Sequence, residues 1–345
     1  MLYGAYGYTG RLVADVALAR GERPVLAGRD GKALGQMAAK LGLEHRVVGL
    51  DDPDALAGAL DGIDAVAHCA GPFSATAAPM VEACLAGRTH YLDITGEIDV
   101  FEAILARGEE AAGAGVVLLP GAGFDVVPSD CLAGLLARAL PTANRLELAL
   151  RMDGGVSPGT AMTAMEALGA ADRCRVGGQI EPVPTDRRRR QVKFADGKAT
   201  VTAISWGDVS TAFHTTGIPD IVVYAALPLT AQLVSSVAGM SGSKGQRSVV
   251  QRALRSVAGR LPGPSAKIRA RSPGQLWGRA IDPSGAKVTG TVTTPNGYDL
   301  TADSVVRVVQ RLAAGSVPTG AHTPSRALGA DFVRELDDVT VVDPA

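Results

Sequence analysis

The chain has 345 residues, 46% hydrophobic and 20% charged, which is typical of a globular protein large enough for two domains. Its 34 basic and 35 acidic residues give a net charge of −1, so no general electrostatic field attracts nucleic acid. The cysteines lack the spacing of a zinc site or a disulfide framework, and we expect no metal; they are Cys69, Cys84, Cys131 and Cys174. The first residues contain no secretory signal pattern, which favours a cytoplasmic protein.

Strands and helices alternate along the first part of the chain. Six apolar segments are predicted strands, each followed by a helical pattern; they are LYG, RPVLAG, HRVVGL, DAVAHCAG, THYLDIT and VVLLPGAG. Such alternation is typical of βαβ units in a parallel sheet. We therefore predict an α/β protein whose N-terminal domain, residues 1–127, is a Rossmann-type doubly wound parallel sheet with its ligand beyond the carboxyl ends of the strands.

The pattern changes after about residue 140, where longer strands follow one another with turn residues between them. The predicted strands are RLELALRM, RQVKFADGKATVTAISW, DIVVYAAL, AKIRARSP, GQLWGRAID and AKVTGTVTTPNGYDL. Asp196-Gly197 and Asn296-Gly297 are typical turn sequences, and helical patterns return in TAMTAMEAL and LTADSVVRVVQRLAAG. We predict a second, α+β domain over residues 128–325 with a mainly antiparallel sheet, and a C-terminal segment, 326–345, that returns to the first domain.

Four consecutive arginines, Arg187 to Arg190, lie between a proline-containing stretch and the strand-like segment QVKF. Two interpretations are open for this run: a solvated hairpin turn and a phosphate-binding patch. Because a run of like charges usually forms a solvated surface, we favour the hairpin turn.

Residues 221–240 carry no charged side chain over a length that could span a bilayer. Pro228 interrupts this stretch, polar residues dilute it, and its first half has the composition of a β-strand. We favour a buried strand followed by a helix. The alternative is peripheral contact with a membrane or another lipid surface, which would make the protein membrane-associated.

Three glycines, Gly4, Gly7 and Gly10, follow the first predicted strand and open the first predicted helix. In a dinucleotide-binding fold, glycines at this point permit a tight turn and let the backbone approach a pyrophosphate at the helix N-terminus. The spacing G-x-x-G-x-x-G differs from the standard G-x-G-x-x-G, but the strand before it and the helix after it support a dinucleotide site.

The second predicted strand ends in Gly28, and Arg29 and Asp30 follow it. A site for NAD places an acidic residue near this point to bind the ribose 2′-hydroxyl. A guanidinium suits a 2′-phosphate instead, so we predict NADP(H) with Arg29 as its ligand. Asp30 has two alternative roles, a rival acidic ligand or the N-cap of the next helix.

The ends of the fourth to sixth predicted strands carry ionisable side chains suited to the proton transfer that hydride addition requires. Asp93, Glu97 and Asp125 occupy these positions, and Asp93 and Asp125 have the alternative role of holding loop backbone. His214 is a fourth catalytic candidate, because it lies in a polar stretch where a strand of the second domain is predicted to end. The segment 157–160 either holds an anion with its amides or caps a helix.

These motifs together resemble those of the saccharopine dehydrogenase-like oxidoreductases, a family that includes the trans-acting enoyl reductases. The resemblance rests on GAYGYTGR, LAGRD, CAGPF, YLDITGE, PGAGFDVVPSD and, near the end of the chain, PTGAHTPSRALGADFV. It implies an NADP-binding Rossmann domain, an α+β domain that shapes the substrate site, and a homodimer. It also implies cofactor contacts along two loops, at Gly4, Gly7, Tyr8, Thr9, Gly10, Arg29, Cys69, Ala70, Gly71, Pro72 and Phe73.

The resemblance implies an NADP(H)-dependent oxidoreductase without naming its substrate. The uncharged stretch 221–240 favours an apolar or lipid-like substrate, such as an enoyl or keto acyl group. A saccharopine-type enzyme that acts on an amino-acid adduct would need basic groups for several carboxylates, and no compact arginine set lies near the predicted strand ends. A non-catalytic NADP-binding sensor is the third interpretation.

Overall fold

The structure is a computed structural model that describes residues 1–152, 154–161, 171–226 and 263–345. Within these residues, the first sheet has seven parallel strands. These strands are β1 (Leu2–Tyr3), β2 (Leu26–Gly28), β3 (His45–Val47), β4 (Ala65–His68), β5 (His90–Asp93), β6 (Val117–Leu119) and β15 (Gly320–Ala321). They lie in the order β15-β6-β5-β4-β1-β2-β3. The six predicted strands and the Rossmann-type sheet are confirmed, and β15 is a seventh strand that the sequence pattern did not indicate.

Seven helices connect or follow these strands: α1 (Tyr8–Ala19), α2 (Gly31–Leu41), α3 (Pro53–Ala59), α4 (Phe73–Gly87), α5 (Ile98–Leu105), α6 (Gly108–Ala114) and α7 (Val127–Ala139). Short polar side chains fix where two of them begin. Asp30 accepts a hydrogen bond from the Ala33 amide at 3.0 Å, and Asp52 accepts one from the Ala55 amide at 3.0 Å. These caps satisfy amides that have no partner inside a helix, so the boundaries are set locally.

The second sheet has nine strands and is mainly antiparallel, as predicted. Its strands are β7 (Arg145–Met152), β8 (Arg173–Val176), β9 (Gln179–Pro182), β10 (Arg189–Phe194), β11 (Gly197–Ala203), β12 (Asp220–Ala225), β13 (Gly274–Ile281), β14 (Lys287–Thr294) and β16 (Thr340–Val342). The main path runs β10-β11-β12-β7-β13-β14-β16, with β8 pairing β12 and β9. Only the β7–β12 pair is parallel among these described pairs.

The described helices of the second half are α8 (Asp208–Thr216), α9 (Ala266–Arg269), α10 (Gly297–Ala313) and α11 (Pro324–Leu328), with single 3-10 turns at Thr185–Arg187 and Ala330–Glu335. Two predictions were wrong here. The first four residues of the predicted strand AKIRARSP form helix α9 instead. The Ser265 hydroxyl caps this helix by accepting a hydrogen bond from the Ile268 amide. Asn296 and Gly297 form no hairpin turn, because the Asn296 side chain accepts from the Tyr298 amide at 3.1 Å and starts α10.

The C-terminal part of the chain crosses between the two sheets. Helix α10 packs along α1, where Asp303 pairs with Arg20, and β15 then joins the first sheet beside β6. The last strand, β16, pairs with β14 in the second sheet. The return to the first sheet therefore precedes the predicted segment 326–345, because strand pairing over long sequence separations decides it and no local pattern reports it.

The two sheets share one apolar core. Leu2 and Leu119 of the first sheet belong to the same buried cluster as Leu148 and Leu276 of the second. Helix α7 packs on β13 and β14 of the second sheet and contributes Leu132, which is fully buried. The crevice at the carboxyl ends of the first-sheet strands is thus fixed against the second sheet by continuous packing.

Residues 221–225 form β12, as predicted for the first half of the uncharged stretch. Residues 227–240 lie outside the described residues. Within the described ranges, no helix has the length and hydropathy needed to span a bilayer.

Candidate functional site: a dinucleotide crevice

The glycine loop packs its backbone directly on the end of β4. Gly4 has a φ of +77°, and a Cβ atom added there would lie 2.9 Å from the backbone nitrogen of Ala70. A Cβ atom on Gly7 would lie 3.1 Å from the Gly4 carbonyl oxygen, and one on Gly10 would lie closer still to the same oxygen and to the backbone of Ala5. Gly4 and Gly10 therefore require glycine, and the bare backbone of this loop is open to the close approach of a ligand.

The N-terminus of α1 is open to an anion. Gly7 is its N-cap in an extended conformation, no side chain caps the helix, and its first turn contains no acidic residue. The amides of Tyr8 and Thr9 thus start a helix that presents free N–H groups and the positive end of its dipole. This geometry fits the pyrophosphate of a dinucleotide.

The end of β2 is shaped for the adenosine end of a cofactor. The ring of Tyr6 covers Gly28, since a Cβ atom at Gly28 would lie 2.6 Å from the ring. Arg29 follows as an exposed residue. The N-cap role left open for Asp30 is confirmed by its bond to the Ala33 amide, which leaves Arg29 as the charged side chain suited to a phosphate.

Tyr8 links the glycine loop to the second domain. Its hydroxyl accepts a hydrogen bond from Arg269 at 3.1 Å and donates one to the carbonyl of Pro264. Its ring stands edge-on to Tyr298 with centroids 4.9 Å apart, and burial raises the pKa of Tyr8. The backbone of Tyr8 therefore belongs to the helix start, while its side chain holds the opposite wall of the crevice.

The loop after β4 holds the predicted contacts Cys69 to Phe73, and buried polar groups brace it. Thr76 donates to the Ala70 carbonyl at 2.7 Å and shares a 3.0 Å hydrogen bond with His68. Burial lowers the pKa of His68 to about 3 and raises the pKa of Cys69 to about 12. Both side chains are therefore neutral at pH 7, and the loop contributes backbone and the Phe73 ring.

Glu97 caps helix α4. Its two carboxylate oxygens accept the backbone N–H groups of Phe73 and Ser74, each at 2.8 Å. A carboxylate at this position satisfies two amides without a helical partner and opposes the positive helix end. Glu97, which the sequence suggested as a proton donor, thus joins the loops after β4 and β5, a structural role that was not predicted for it.

Asp93 is enclosed at the end of β5, with 1% of the residue exposed. One carboxylate oxygen accepts from the amides of Thr95 and Gly121 at 3.0 and 2.8 Å, and the other accepts from the Tyr91 hydroxyl at 2.6 Å. Burial raises its pKa to about 6 even though these hydrogen bonds favour the anion. Such complete engagement favours a structural role for Asp93.

Asp125 differs from the other two acids. It follows the loop after β6 and faces Gly96, where a Cβ atom would lie 3.0 Å from its carboxylate oxygen. No group among the described residues hydrogen-bonds that carboxylate, although the Trp206 indole donates to its backbone carbonyl at 2.7 Å. Burial raises the pKa of Asp125 to about 6. An acid without a partner at the carboxyl ends of parallel strands is the best placed of the candidates for proton transfer.

His214 does not lie at a strand end. It lies in α8, and its Nε2 atom is 3.6 Å from the Glu102 carboxylate on α5. Arg175 and Ser210 hydrogen-bond the same carboxylate at 2.6 and 2.7 Å. The prediction from a strand end was therefore wrong, because the polar stretch is the last turn of a helix that closes on Gly217.

Sequence analysis missed Tyr298 as a residue of the crevice. Its hydroxyl accepts from the Ser157 amide at 2.6 Å and bonds the Thr160 hydroxyl at 3.0 Å. Ser157 accepts from the Thr160 amide at 3.2 Å, which confirms the helix-capping role of this segment. The sequence does contain a pattern that indicates this position: Asn296, a typical N-cap residue, precedes an amphipathic run. This pattern places Tyr298 in the first turn of α10.

Comparison with known proteins agrees with this geometry. Residues 1–119 match the family model described as the saccharopine dehydrogenase NADP binding domain. The match covers about a third of the chain, and for this dinucleotide-binding part it confirms the resemblance drawn from the motifs.

The chain is similar in sequence to two curated relatives and in fold to one solved structure. A trans-acting enoyl reductase of Mycobacterium leprae is 33% identical over 138 residues, which cover 38% of this chain and 33% of the relative. A saccharopine dehydrogenase-like oxidoreductase of Mus musculus is 29% identical over 150 residues, which cover 38% of this chain and 35% of the relative. The match thus spans about a third of each relative.

The solved structure of apo saccharopine dehydrogenase (L-Glu forming) from Saccharomyces cerevisiae covers 99% of both chains. Its TM-score is 0.62 at 11% sequence identity. The likeness shows that the two proteins share the arrangement of a Rossmann-type sheet with a second, mixed sheet, and it establishes the fold alone.

Proposed function

We propose that this chain is an NADP(H)-dependent oxidoreductase that transfers a hydride between the cofactor and an apolar, acyl-type substrate such as an enoyl or keto group. The observation that carries the proposal is the glycine loop, in which Gly4 lies against Ala70 and Gly7 leaves the start of α1 uncapped. The name of the matching family, an NADP-binding domain, supports the choice of cofactor.

Different residues of the crevice would bind different parts of the cofactor. The amides at the start of α1 would hold the pyrophosphate, and Arg29 would pair with the 2′-phosphate, because Asp30 is engaged as a helix cap. The segment Ala70–Phe73 would form one wall for the nicotinamide, whose chemistry when bound is the donation or acceptance of a hydride.

Asp125 is the proposed proton donor. Hydride addition to a carbonyl or an activated alkene creates a negative charge that a proton must neutralise. Burial keeps the pKa of Asp125 near 6, and no described group engages its carboxylate. An acid with this pKa is mostly protonated below about pH 6, whereas a carboxyl of ordinary pKa is mostly ionised there. It lies where the loops after β5 and β6 meet.

The charges beside the crevice favour an apolar substrate over an amino-acid adduct. Arg269 contacts Tyr8 in the crevice and is paired with Asp299 at 2.7 Å. This arginine is therefore neutralised within the protein and is not available for a substrate carboxylate. The name of the M. leprae relative, an enoyl reductase, points to the same class of substrate.

The test is transfer of deuterium from 4-deuterated NADPH, in each stereochemical form, to a panel of enoyl and keto thioesters, read by mass spectrometry. We expect label in one or more acyl products with the wild-type chain. Asp125→Asn should lower the rate by about 10²–10⁴-fold, typical for loss of a general acid, without changing NADPH affinity.

Two outcomes contradict the proposal. NADPH binding without transfer to any thioester would favour a non-catalytic sensor. Transfer confined to imines of amino acids would favour the saccharopine-type reaction.

A further inference from the structure

A second site lies on the face of the second sheet that is turned away from α7. It is a cavity of about 300 Å³ where β10 crosses the sheet. Six basic side chains line it: Arg145, Arg187, Arg189, Arg190, Arg279 and Lys287. We refer to it as the arginine cavity, and the dinucleotide crevice uses none of these residues.

Positive charge exceeds negative charge in the arginine cavity. Its acidic lining residues are Glu147 and Asp186, so six cations face two anions. Glu147 is 2% exposed and pairs with both Arg145, at 2.8 Å, and Arg190. Asp220 also lies 4.0 Å from Arg187, but three carboxylates do not balance six cations, and the excess favours a further anion in the cavity.

Aromatic rings hold two of the guanidinium groups in place. Arg190 and Arg279 lie over the Trp277 ring at 5.3 and 4.9 Å from its centroid, and Arg190 also lies 5.8 Å from the Tyr224 ring. Burial, followed by the charge of Arg190, lowers the pKa of Arg279. Like charges are thus fixed close together, which lowers the ordering cost of binding an anion between them.

Several donors in the arginine cavity lack partners. The Nε atoms of Arg145 and Arg190 and one Nη atom of Arg187 are buried, and no hydrogen-bond partner is found for them among the described residues. A buried donor without a partner is costly, and an anion with several oxygens can satisfy more than one such donor at once.

We propose that the arginine cavity binds a phosphate group carried by a small soluble molecule. Phosphate presents several acceptor oxygens and up to two negative charges, which match the converging guanidinium donors and the excess of cations. The volume of about 300 Å³ accommodates a small phosphorylated molecule, and we take a soluble molecule of this kind as the occupant.

The arginine cavity lies far from the dinucleotide crevice. Arg145 is at one end of β7, and Met152 at the other end pairs with Gly274, which packs on Phe124 beside the crevice. Seven residue steps along a strand separate these ends by about 23 Å. The two sites can therefore be tested separately, and failure of one proposal leaves the other intact.

The experiment is calorimetric titration of the full chain with inorganic phosphate at a constant ionic strength of about 0.15 M. We expect saturable binding that Arg187→Gln weakens about tenfold, as loss of a charge-assisted hydrogen bond predicts. Lys287→Gln, an exposed residue on the cavity rim, gives a second variant if Arg187→Gln fails to fold.

Arg188→Gln is the matched control, because Arg188 belongs to the same arginine run but does not line the cavity. It should change phosphate affinity less than about twofold, and all variants should keep wild-type NADPH affinity. Equal weakening by Arg187→Gln and Arg188→Gln would overturn the proposal in favour of a diffuse charge effect. Co-sedimentation with phosphatidic acid vesicles in the absence of binding to inorganic phosphate would overturn it in favour of a lipid surface.

Discussion

The carboxylate of Asp93 accepts the backbone N–H of Gly121 at 2.8 Å and thereby joins the loop after β5 to the loop after β6. Glu97 makes the corresponding link to the loop after β4 through Phe73 and Ser74. Two buried or capping acids thus fix three loops, and Asp125, whose carboxylate has no hydrogen-bond partner among the described residues, lies between the fixed loops. The arrangement separates acids that build the crevice from the acid suited to act in it.

Asp93 should make the folded protein less stable as pH rises through the acidic range. The pKa of Asp93 is about 6 in the folded protein and 3.8 for an ordinary aspartate, so as pH rises the unfolded chain releases the proton of Asp93 before the folded protein does. The difference corresponds to about 3 kcal/mol, lost between about pH 4 and pH 6. In Asp93→Asn this loss disappears, while the amide oxygen still accepts from Gly121. Urea unfolding at pH 4 and pH 7 measures the free energy of unfolding of the wild type and of Asp93→Asn. If the difference between the two proteins were the same at both pH values, the prediction would be contradicted.

Asp125 should control the pH dependence of reduction. A proton donor with a pKa of about 6 loses activity as pH rises, and kcat/KM should fall about tenfold per unit above that value. Steady-state rates between pH 5 and pH 9, with Asp125→Asn as the test variant, measure the effect.

The matched control for that profile is Asp130→Asn. Burial also raises the pKa of Asp130 to about 6, but its carboxylate is engaged by Thr215 and Ser325. Asp130→Asn should keep the fall above pH 6, and Asp125→Asn should remove it. If Asp130→Asn removes it instead, Asp125 is not the donor.

Gly4→Ala should weaken NADPH binding by more than the strain of its positive φ alone would explain. The added Cβ would meet Ala70 at 2.9 Å, and the φ of +77° adds strain of about 1–2 kcal/mol. Gly21 has nearly the same φ, +80°, with no atom within 4 Å of an added Cβ. Gly21→Ala therefore measures the strain alone. NADPH fluorescence titration and thermal unfolding should show weaker binding for Gly4→Ala only, and equal effects in the two variants would refute the close approach.

Arg29→Ala should remove the preference for NADPH over NADH. Loss of a charge-assisted contact to the 2′-phosphate is worth about tenfold or more in affinity. The affinity for NADH should change little, because that cofactor lacks the phosphate. Paired titrations with the two nucleotides measure the ratio, and Lys40→Ala in the last turn of α2 serves as the control. An unchanged ratio in Arg29→Ala would assign cofactor selection to another residue.

Much of the first domain could be predicted from local patterns. The six strand segments, the helix cap at Asp30 and the glycine turn at Gly4 each depend on residues that are close in the sequence, and each is found in the structure. The second domain was harder to predict. The polar stretch around His214 ends a helix, and Asn296 starts one, because hydrogen bonds to nearby amides overrode the expected turn chemistry.

The arginine run shows why side-chain environment was not predictable. Its favoured interpretation, a solvated hairpin turn, was right only in part. A 3-10 turn ends at Arg187, and Arg188 and Arg189 are exposed. The turn joins no hairpin, however, because β10 pairs with β11 and β9 with β8, and Arg187 and Arg190 are only 21% and 23% exposed. The residues that surround them come from β7 and β13, about 40 and 90 positions away in the chain. No local pattern reports such neighbours.

The sequence by itself determined the alternation of strands and helices and the glycine loop that defines a dinucleotide fold, because hydrogen bonding and turn geometry there depend on adjacent residues. Tertiary structure alone decided that the Asp93 carboxylate is fully engaged while that of Asp125 has no hydrogen-bond partner in the part of the chain that the structure describes. Both acids follow similar strands and differ in the amides and hydroxyls that packing brings to them. It also decided where the arginines converge, because pairing between distant strands places charges from separate segments around one cavity.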